Sequence, residues 1–144
     1  MAKRSNQHLI DGLNEDLAHE YNAVISYLLF AKMAHGHARL ELGPFFEAEI
    51  ADELRHAQFL AQKIIALGGT PTTAPAPVTL PKDNRGLLEA ALAAETETIA
   101  RYTQRIREAE DAGELGLKVD LEQLVSDETG HKEDLERILL GWRD

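Results

Sequence analysis

The chain has 144 residues, enough for one domain (1–144) with a real core and too few for two. Its 44% hydrophobic and 28% charged residues fit a soluble globular protein, and the absence of cysteine excludes disulfides, zinc–thiolate sites and iron–sulfur clusters. A net charge of −10 opposes nucleic acid as a partner, because DNA affinity rests on neutralised phosphates, and the short basic start at Lys3 and Arg4 is too small to reverse it.

No window approaches the ~20 apolar residues that span a bilayer, and Met1–Asn6 has no apolar signal core. No membrane partner and a cytoplasmic location are therefore expected. A metal in this chain has to be held by oxygen and imidazole ligands.

From Asn6 to about His35, apolar residues fall at Ile10, Leu13, Leu17, Val24, Tyr27 and Ala31. Steps of three and four predict one amphipathic helix, near 45 Å long at ~1.5 Å per residue. Between Leu17 and Val24 the inward position is Glu20. Gly36 and the Gly43-Pro44 pair are expected to bracket a short connection. A second helix is predicted from about Pro44 to Leu67, with Phe46, Ile50, Ala57, Leu60, Ile64 and Leu67 on its face. Its inward gap is filled by Glu53, and Gly68-Gly69 ends it.

Residues 70–82 hold four of the five prolines and show no helical period. At ~3.3 Å per residue this stretch spans about 40 Å, the length of the helices themselves. A third helix begins near Asp83, with Leu88, Leu92, Ile99, Tyr102 and Ile106 inward and Glu95 in the gap. Gly113 and Gly116 break it. The fourth helix shows Leu121, Leu124, Leu135, Ile138 and Trp142, with Glu128 and His131 between them. Short outer connections and a helix-long middle one predict an all-α, antiparallel four-helix bundle with one long crossover between helices 2 and 3.

Asp-Glu-x-x-His occurs twice, at Asp52-Glu53-Leu54-Arg55-His56 and at Asp127-Glu128-Thr129-Gly130-His131. A Glu and a His three apart share a helix face. Alone, such a pair is usually solvated surface. Here a shift of 75 positions maps one half of the chain on the other: Glu20 to Glu95, Tyr27 to Tyr102, Asp52 to Asp127, Glu53 to Glu128, His56 to His131. Two related hairpins would gather these groups about a pseudo-two-fold axis.

Four inward glutamates cannot be buried unpaired, and Arg55 and Lys132 point away from them. Two divalent cations answer the need. Glu53 and Glu128 then bridge both ions, Glu20 and Glu95 each cap one, and His56 and His131 each add a nitrogen. Carboxylate and imidazole donors with open positions suit iron or manganese. Asp52 and Asp127 are expected to accept the far N–H of the opposite histidine. Tyr27 and Tyr102, two turns from their glutamates, pack as core aromatics and can hydrogen-bond a ligand or donate an electron. Glu49 lies a turn before Glu53, and a role as a third-site or entry ligand is its less favoured reading. His8, His19, His35 and His37 are expected to be exposed.

Leu13-Asn14-Glu15-Asp16-Leu17-Ala18-His19-Glu20 with Tyr27, Asp52–Ala57, Leu67-Gly68-Gly69-Thr70-Pro71 and Asp127–His131 together resemble the bacterioferritin branch of the ferritin-like superfamily. The resemblance covers nearly the whole chain. It implies that Glu20, Glu53, His56, Glu95, Glu128 and His131 form a catalytic ferroxidase di-iron centre, with two Fe ions per subunit. Such centres bind Fe(II), reduce O2 or H2O2, and serve iron storage or detoxification. It also implies a homo-oligomer, from a dimer to a 12- or 24-subunit cage.

Three departures stand out. Leu54 replaces the Met that ligates haem between subunits, so no haem is expected. With Asp144 about a turn past the fourth helix, the short fifth helix of 24-subunit cages is not expected. Ala48 stands where some members carry an iron-binding His. The rival readings are a rubrerythrin-like peroxidase that stores nothing and a non-enzymatic helical module with a structural metal. Thr98 stands where rubrerythrins carry a second Glu, and 144 residues leave little room for an organic-substrate pocket.

Overall fold

A computed structural model describes residues 2–143, with side chains from Asn6 onward, so Lys3 and Arg4 lie outside the described side chains. Four helices, α1 (Ala2–Met33), α2 (Arg39–Ala66), α3 (Asn84–Asp111) and α4 (Leu115–Leu140), form a bundle with no strand among the described residues. Packing joins α1 to α2, α3 to α4, and α1 to α3, while the backbones of α2 and α4 make few close approaches. No helix is long and apolar enough to cross a membrane.

The predicted helix boundaries hold at three places for clear reasons. Gly68 (φ 89°) and Gly113 (φ 75°) take the left-handed conformation that ends α2 and α3. Asp83 caps α3, its carboxylate accepting from the Gly86 N–H at 2.7 Å. The start of α2 differs from expectation. It begins at Arg39, so Gly43 and Pro44 lie inside the helix and do not bracket a turn. Pro44 removes one hydrogen bond, to the carbonyl of Leu40, and Leu40 is 71% exposed. Leu42, buried at 3%, anchors this extra turn in the core.

The crossover is tied to the outer face of α1 by side chains. Asn14 donates to the Thr70 carbonyl at 3.0 Å and accepts from the Thr72 N–H at 2.8 Å. Tyr21 donates to the Thr72 carbonyl, and Asn22 to those of Ala76 and Pro77. A proline-rich segment with few internal hydrogen bonds thus gains its partners from α1.

Two apolar clusters fill the bundle, one around Leu13, Leu17, Leu60 and Leu121, the other around Phe30, Phe46, Leu88 and Leu135. Val24, expected inward, is only half-buried, whereas Leu9 and Phe30 are buried. Over a long straight helix the apolar stripe drifts round the axis and moves off any fixed face.

One buried charge pair lies in the first cluster's layer. Asp16, 1% exposed, accepts from Arg105 Nε at 2.8 Å and Nη2 at 3.2 Å, and Arg105 also reaches Glu108 at 2.5 Å. Gly12 makes room for this guanidinium, since a Cβ there would collide with it. Burial holds the Asp16 carboxyl above its ordinary value even beside Arg105. Under the 75-residue shift the pair maps to Ala91 and Phe30, both in the second apolar cluster.

Breaking a buried pair costs about 3–5 kcal/mol, whereas replacing both partners by apolar groups is often neutral. In urea unfolding of the metal-free protein, Asp16→Ala is expected to lose about 3 kcal/mol, the lower end because Glu108 remains. Asp16→Ala/Arg105→Phe, which copies the other end of the bundle, recovers most of that loss. A double variant weaker than the single one would refute this account.

Candidate metal centre

Between the two apolar clusters lies a polar layer built from all four helices. Glu20 comes from α1, Glu53 and His56 from α2, Glu95 from α3, Glu128 and His131 from α4. The four glutamates are 1–3% exposed and His56 is 3% exposed. Each occupies the position in its helix where a stripe of leucines is interrupted, so helix packing drives the carboxylates inward.

The structure brings all six residues together as two overlapping groups. Donor atoms of Glu20, Glu53, His56 and Glu128 lie within 4.8 Å of one another, as do those of Glu53, Glu95, Glu128 and His131. Glu53 and Glu128 belong to both groups by splitting their oxygens. Glu53 Oε2 is 3.6 Å from His56 Nδ1, and its Oε1 is 3.4 Å from His131 Nδ1. Glu128 Oε1 is 2.8 Å from His56 Nδ1, and its Oε2 is 3.8 Å from His131 Nδ1. Glu20 and Glu95 approach one histidine each, at 3.8 and 3.7 Å.

The supporting groups are reciprocal between the two halves of the chain. His56 Nε2 faces Asp127 Oδ2 at 3.4 Å, and His131 Nε2 faces Asp52 Oδ2 at 3.2 Å. Each aspartate accepts the far N–H and so leaves Nδ1 with its lone pair toward the centre. Tyr27 O–H donates to Glu95 Oε1 at 2.5 Å, and Tyr102 O–H donates to Glu20 Oε1. Each tyrosine therefore serves the glutamate of the other hairpin, where the sequence placed it nearest its own.

Glu49 was set aside in the sequence as the weaker candidate, yet it is buried, with Oε2 3.0 Å from His131 Nδ1. His19 is half-buried rather than exposed, whereas His8, His35 and His37 are exposed. Arg55 and Lys132 turn away, Arg55 to Asp52 and Lys132 to Glu136 at 3.5 Å.

The electrostatics are those of a cluster that lacks positive charge. Burial, with Glu53 adding to it, pushes the Glu20 carboxyl up to about 8. Burial pulls His56 down, but Glu128, Glu20 and Glu53 outweigh it and push the imidazole up to about 12. His131 is also pulled down by burial and pushed up to about 11 by Glu128, Glu53 and Glu49. Burial lifts both tyrosines well above the ordinary phenol value. Protons thus supply the charge that cations would otherwise bring.

The fit to metal ions rests on unpaired atoms. Seven buried side-chain atoms among the described residues have no hydrogen-bond partner: Glu20 Oε2, Glu49 Oε2, Glu53 Oε1, His56 Nδ1, Glu95 Oε2, Glu128 Oε1 and His131 Nδ1. All seven lie in this layer, and each offers a lone pair once a cation displaces the protons held there. A buried polar atom without a partner costs about 1–3 kcal/mol, so coordination would relieve a cost that the metal-free layer carries. Two divalent cations fit the donor set.

A cavity of about 300 Å³ reaches the centre at Glu53, Glu95 and Glu128. It runs between α1 and α3 along Ala23, Ala90, Ala91 and Ala94, and His19, Glu97 and Arg101 also line it. Small side chains make this space, so chain length alone does not exclude a small-molecule pocket. A run of alanines is ordinary in a helix, which is why the sequence does not announce it.

A family model described as a ferritin-like domain matches residues 10–142. A bacterioferritin of Mycolicibacterium paratuberculosis is 34% identical over 131 residues, covering 88% of this chain and 80% of its own. The crystal structure of a ferritin-like diiron-carboxylate protein from Bacillus anthracis is 49% identical, with a TM-score of 0.92 over 94% of this chain and 97% of that one. Rhodobacter capsulatus bacterioferritin, a structure with haem iron and a metal-free dinuclear site, is 25% identical with a TM-score of 0.87. The two chains are covered to 92% and 84%.

A ligand that binds only the folded state at 100 times its Kd adds about 2.7 kcal/mol. Mn(II) at that level is expected to raise the melting temperature by roughly 10 °C, reversed by a chelator. Asp127→Asn, which no longer fixes the His56 tautomer, is expected to weaken metal binding about 10–100-fold in calorimetry. A melting curve indifferent to metal would remove the centre.

Proposed function

Because this chain belongs to the ferritin-like family, on its bacterioferritin side, we propose that it is a ferroxidase acting in iron storage or detoxification. The observation that carries this reading is the pair of buried donor groups sharing Glu53 and Glu128. Two ions held through shared carboxylates can each give up one electron to one oxidant molecule. The balance is simple: two Fe(II) become two Fe(III), and H2O2 with two protons becomes two waters. With O2, the same two electrons and two protons give H2O2.

The chain's own residues have four tasks in this scheme. Glu53 and Glu128 hold the two substrate ions together, and Glu20 and Glu95 cap them from opposite sides. Hard anionic oxygens favour the ion of higher charge, which makes Fe(II) easier to oxidise. Asp52 and Asp127 keep the imidazole nitrogens aimed inward. Tyr27 and Tyr102 hold the capping carboxylates by hydrogen bonds, and their raised pKa values keep their protons in place. The alanine-lined cavity is wide enough for O2 or H2O2 to reach the ions.

The M. paratuberculosis and R. capsulatus relatives are bacterioferritins, and this supports a homo-oligomer of iron-handling type. Leu54 is half-exposed on α2 and offers no sulfur, so we propose that this chain does not bind haem as Met-carrying members do. Manganese fits the same donors as iron. The cavity is equally open to a second reading, a peroxidase that consumes H2O2 and stores nothing, against which Thr98 counts.

Metal-free protein given Fe(II) in air or with H2O2 is expected to produce ferric absorbance faster than a protein-free blank. Glu53→Ala and Glu128→Ala, each removing a shared carboxylate, should bring the rate to the blank. Iron bound per subunit then separates the readings: about two with turnover indicates a peroxidase, and hundreds indicate storage. Metal bound without any oxidation would leave a structural ion and refute both.

A further inference from the structure

The 75-residue repeat predicts two equivalent metal positions, and one residue breaks the equivalence. The position beside His56 has Glu20, Glu53 and Glu128, and the position beside His131 has Glu95, Glu53 and Glu128. Their tyrosines and aspartates also match, pair for pair. Glu49 does not match. Its counterpart under the shift is Leu124, 7% exposed in the first apolar cluster.

Glu49 is itself 9% exposed, and its Oε2 has no hydrogen-bond partner. That oxygen stands 3.0 Å from His131 Nδ1, nearer than any other carboxylate oxygen paired with this nitrogen. A buried carboxylate with a free lone pair, facing the coordinating nitrogen of one histidine only, adds negative charge to that side alone. One opposing charge lies on the same side: Arg55 pairs with Asp52, and its counterpart is Gly130. Arg55 is 64% exposed and screened by water, and it contacts an aspartate outside the donor set. Glu49 is the larger influence because it is buried and adjacent to the donor atoms.

We propose that the two metal positions are unequal: the one at Glu95 and His131 fills first and holds its ion more tightly, because Glu49 completes it. This deepens the two-ion reading above and depends on it. Affinity for divalent cations rises with the number of anionic oxygens around them. The position at Glu20 and His56, closed by Leu124 where the other has Glu49, is the one that loads last and releases first.

The test uses the full-length protein, freed of metal and given Mn(II) under anaerobic conditions. Anomalous scattering from crystals loaded with one equivalent per subunit reads the occupancy of each position. About tenfold more Mn(II) beside His131 than beside His56 is expected, a ratio that corresponds to about 1.4 kcal/mol. Glu49→Gln, nearly isosteric, should reduce the ratio below about threefold, while calorimetry still counts two ions per subunit. Leu124→Glu, which restores the symmetry from the other side, should also bring the occupancies together.

Equal occupancy in the unaltered protein would overturn the proposal while leaving the two-ion centre intact. An unchanged ratio in Glu49→Gln would do the same. So would a third Mn(II), held by Glu49, Asp52 and His131 apart from the other two. Failure to bind any Mn(II) would instead refute the two-ion reading itself.

Discussion

The whole arrangement depends on the cost of burying carboxylates in a helix bundle. Five glutamates in one layer, each at most 9% exposed, would repel one another and forfeit their hydration. Among the described residues, the basic groups that meet them within ion-pair distance are two imidazoles. The apolar clusters above and below sharpen the problem, because they lower the local dielectric. Those clusters are also what makes the site possible. Rigid packing on both sides fixes the helices that carry the donor atoms.

How the two hairpins share this layer explains why neither can form it alone. Every tyrosine and every aspartate at the centre supports a ligand from the opposite half of the chain. α2 and α4, whose backbones make few close approaches, are spanned by the two His–Asp contacts and by His56 with Glu128. The polar layer thus ties together two helices that backbone packing joins only weakly. At the Asp16–Arg105 level the tie is different: α1 is fastened to α3 by a closed ion pair, and the symmetric level uses Phe30 and Ala91 instead. The repeat has kept its chemistry and let its packing diverge.

Much of this was legible in the sequence, and the exceptions have physical causes. Interrupted leucine stripes placed Glu20, Glu53, Glu95 and Glu128 inward, and the 75-residue shift related the two halves. The helix count, the crossover and the cap at Asp83 follow from glycine, proline and capping chemistry. What escaped depends on the partner helix. Tyr27 and Glu20 share a face of α1, but the phenol spans the bundle and finds Glu95, since Glu20 already receives Tyr102. Asp16 lies one turn before Glu20, and only the fold reveals Arg105, 89 residues away, as its partner. Glu49 lies a turn before Glu53 with no partner visible in its own helix, and only the fold brings His131 of α4 to 3.0 Å from it. Pro44 reads as a helix boundary, and the burial of Leu42 overrides it.

The two kinds of buried charge separate stability from function within the same interior. Asp16 and Arg105 satisfy each other through two hydrogen bonds, with Glu108 taking another guanidinium N–H, so that pair binds helices and is closed to ligands. At the centre the situation is reversed. Each imidazole is satisfied on its outer nitrogen and left open on its inner one, and the capping glutamates are satisfied on one oxygen and open on the other. A bundle selected for stability alone would close these atoms, as it has done at Arg105. Half-satisfaction repeated at both histidines and both capping glutamates, in one layer and nowhere else among the described residues, is the arrangement expected where coordination bonds complete the set.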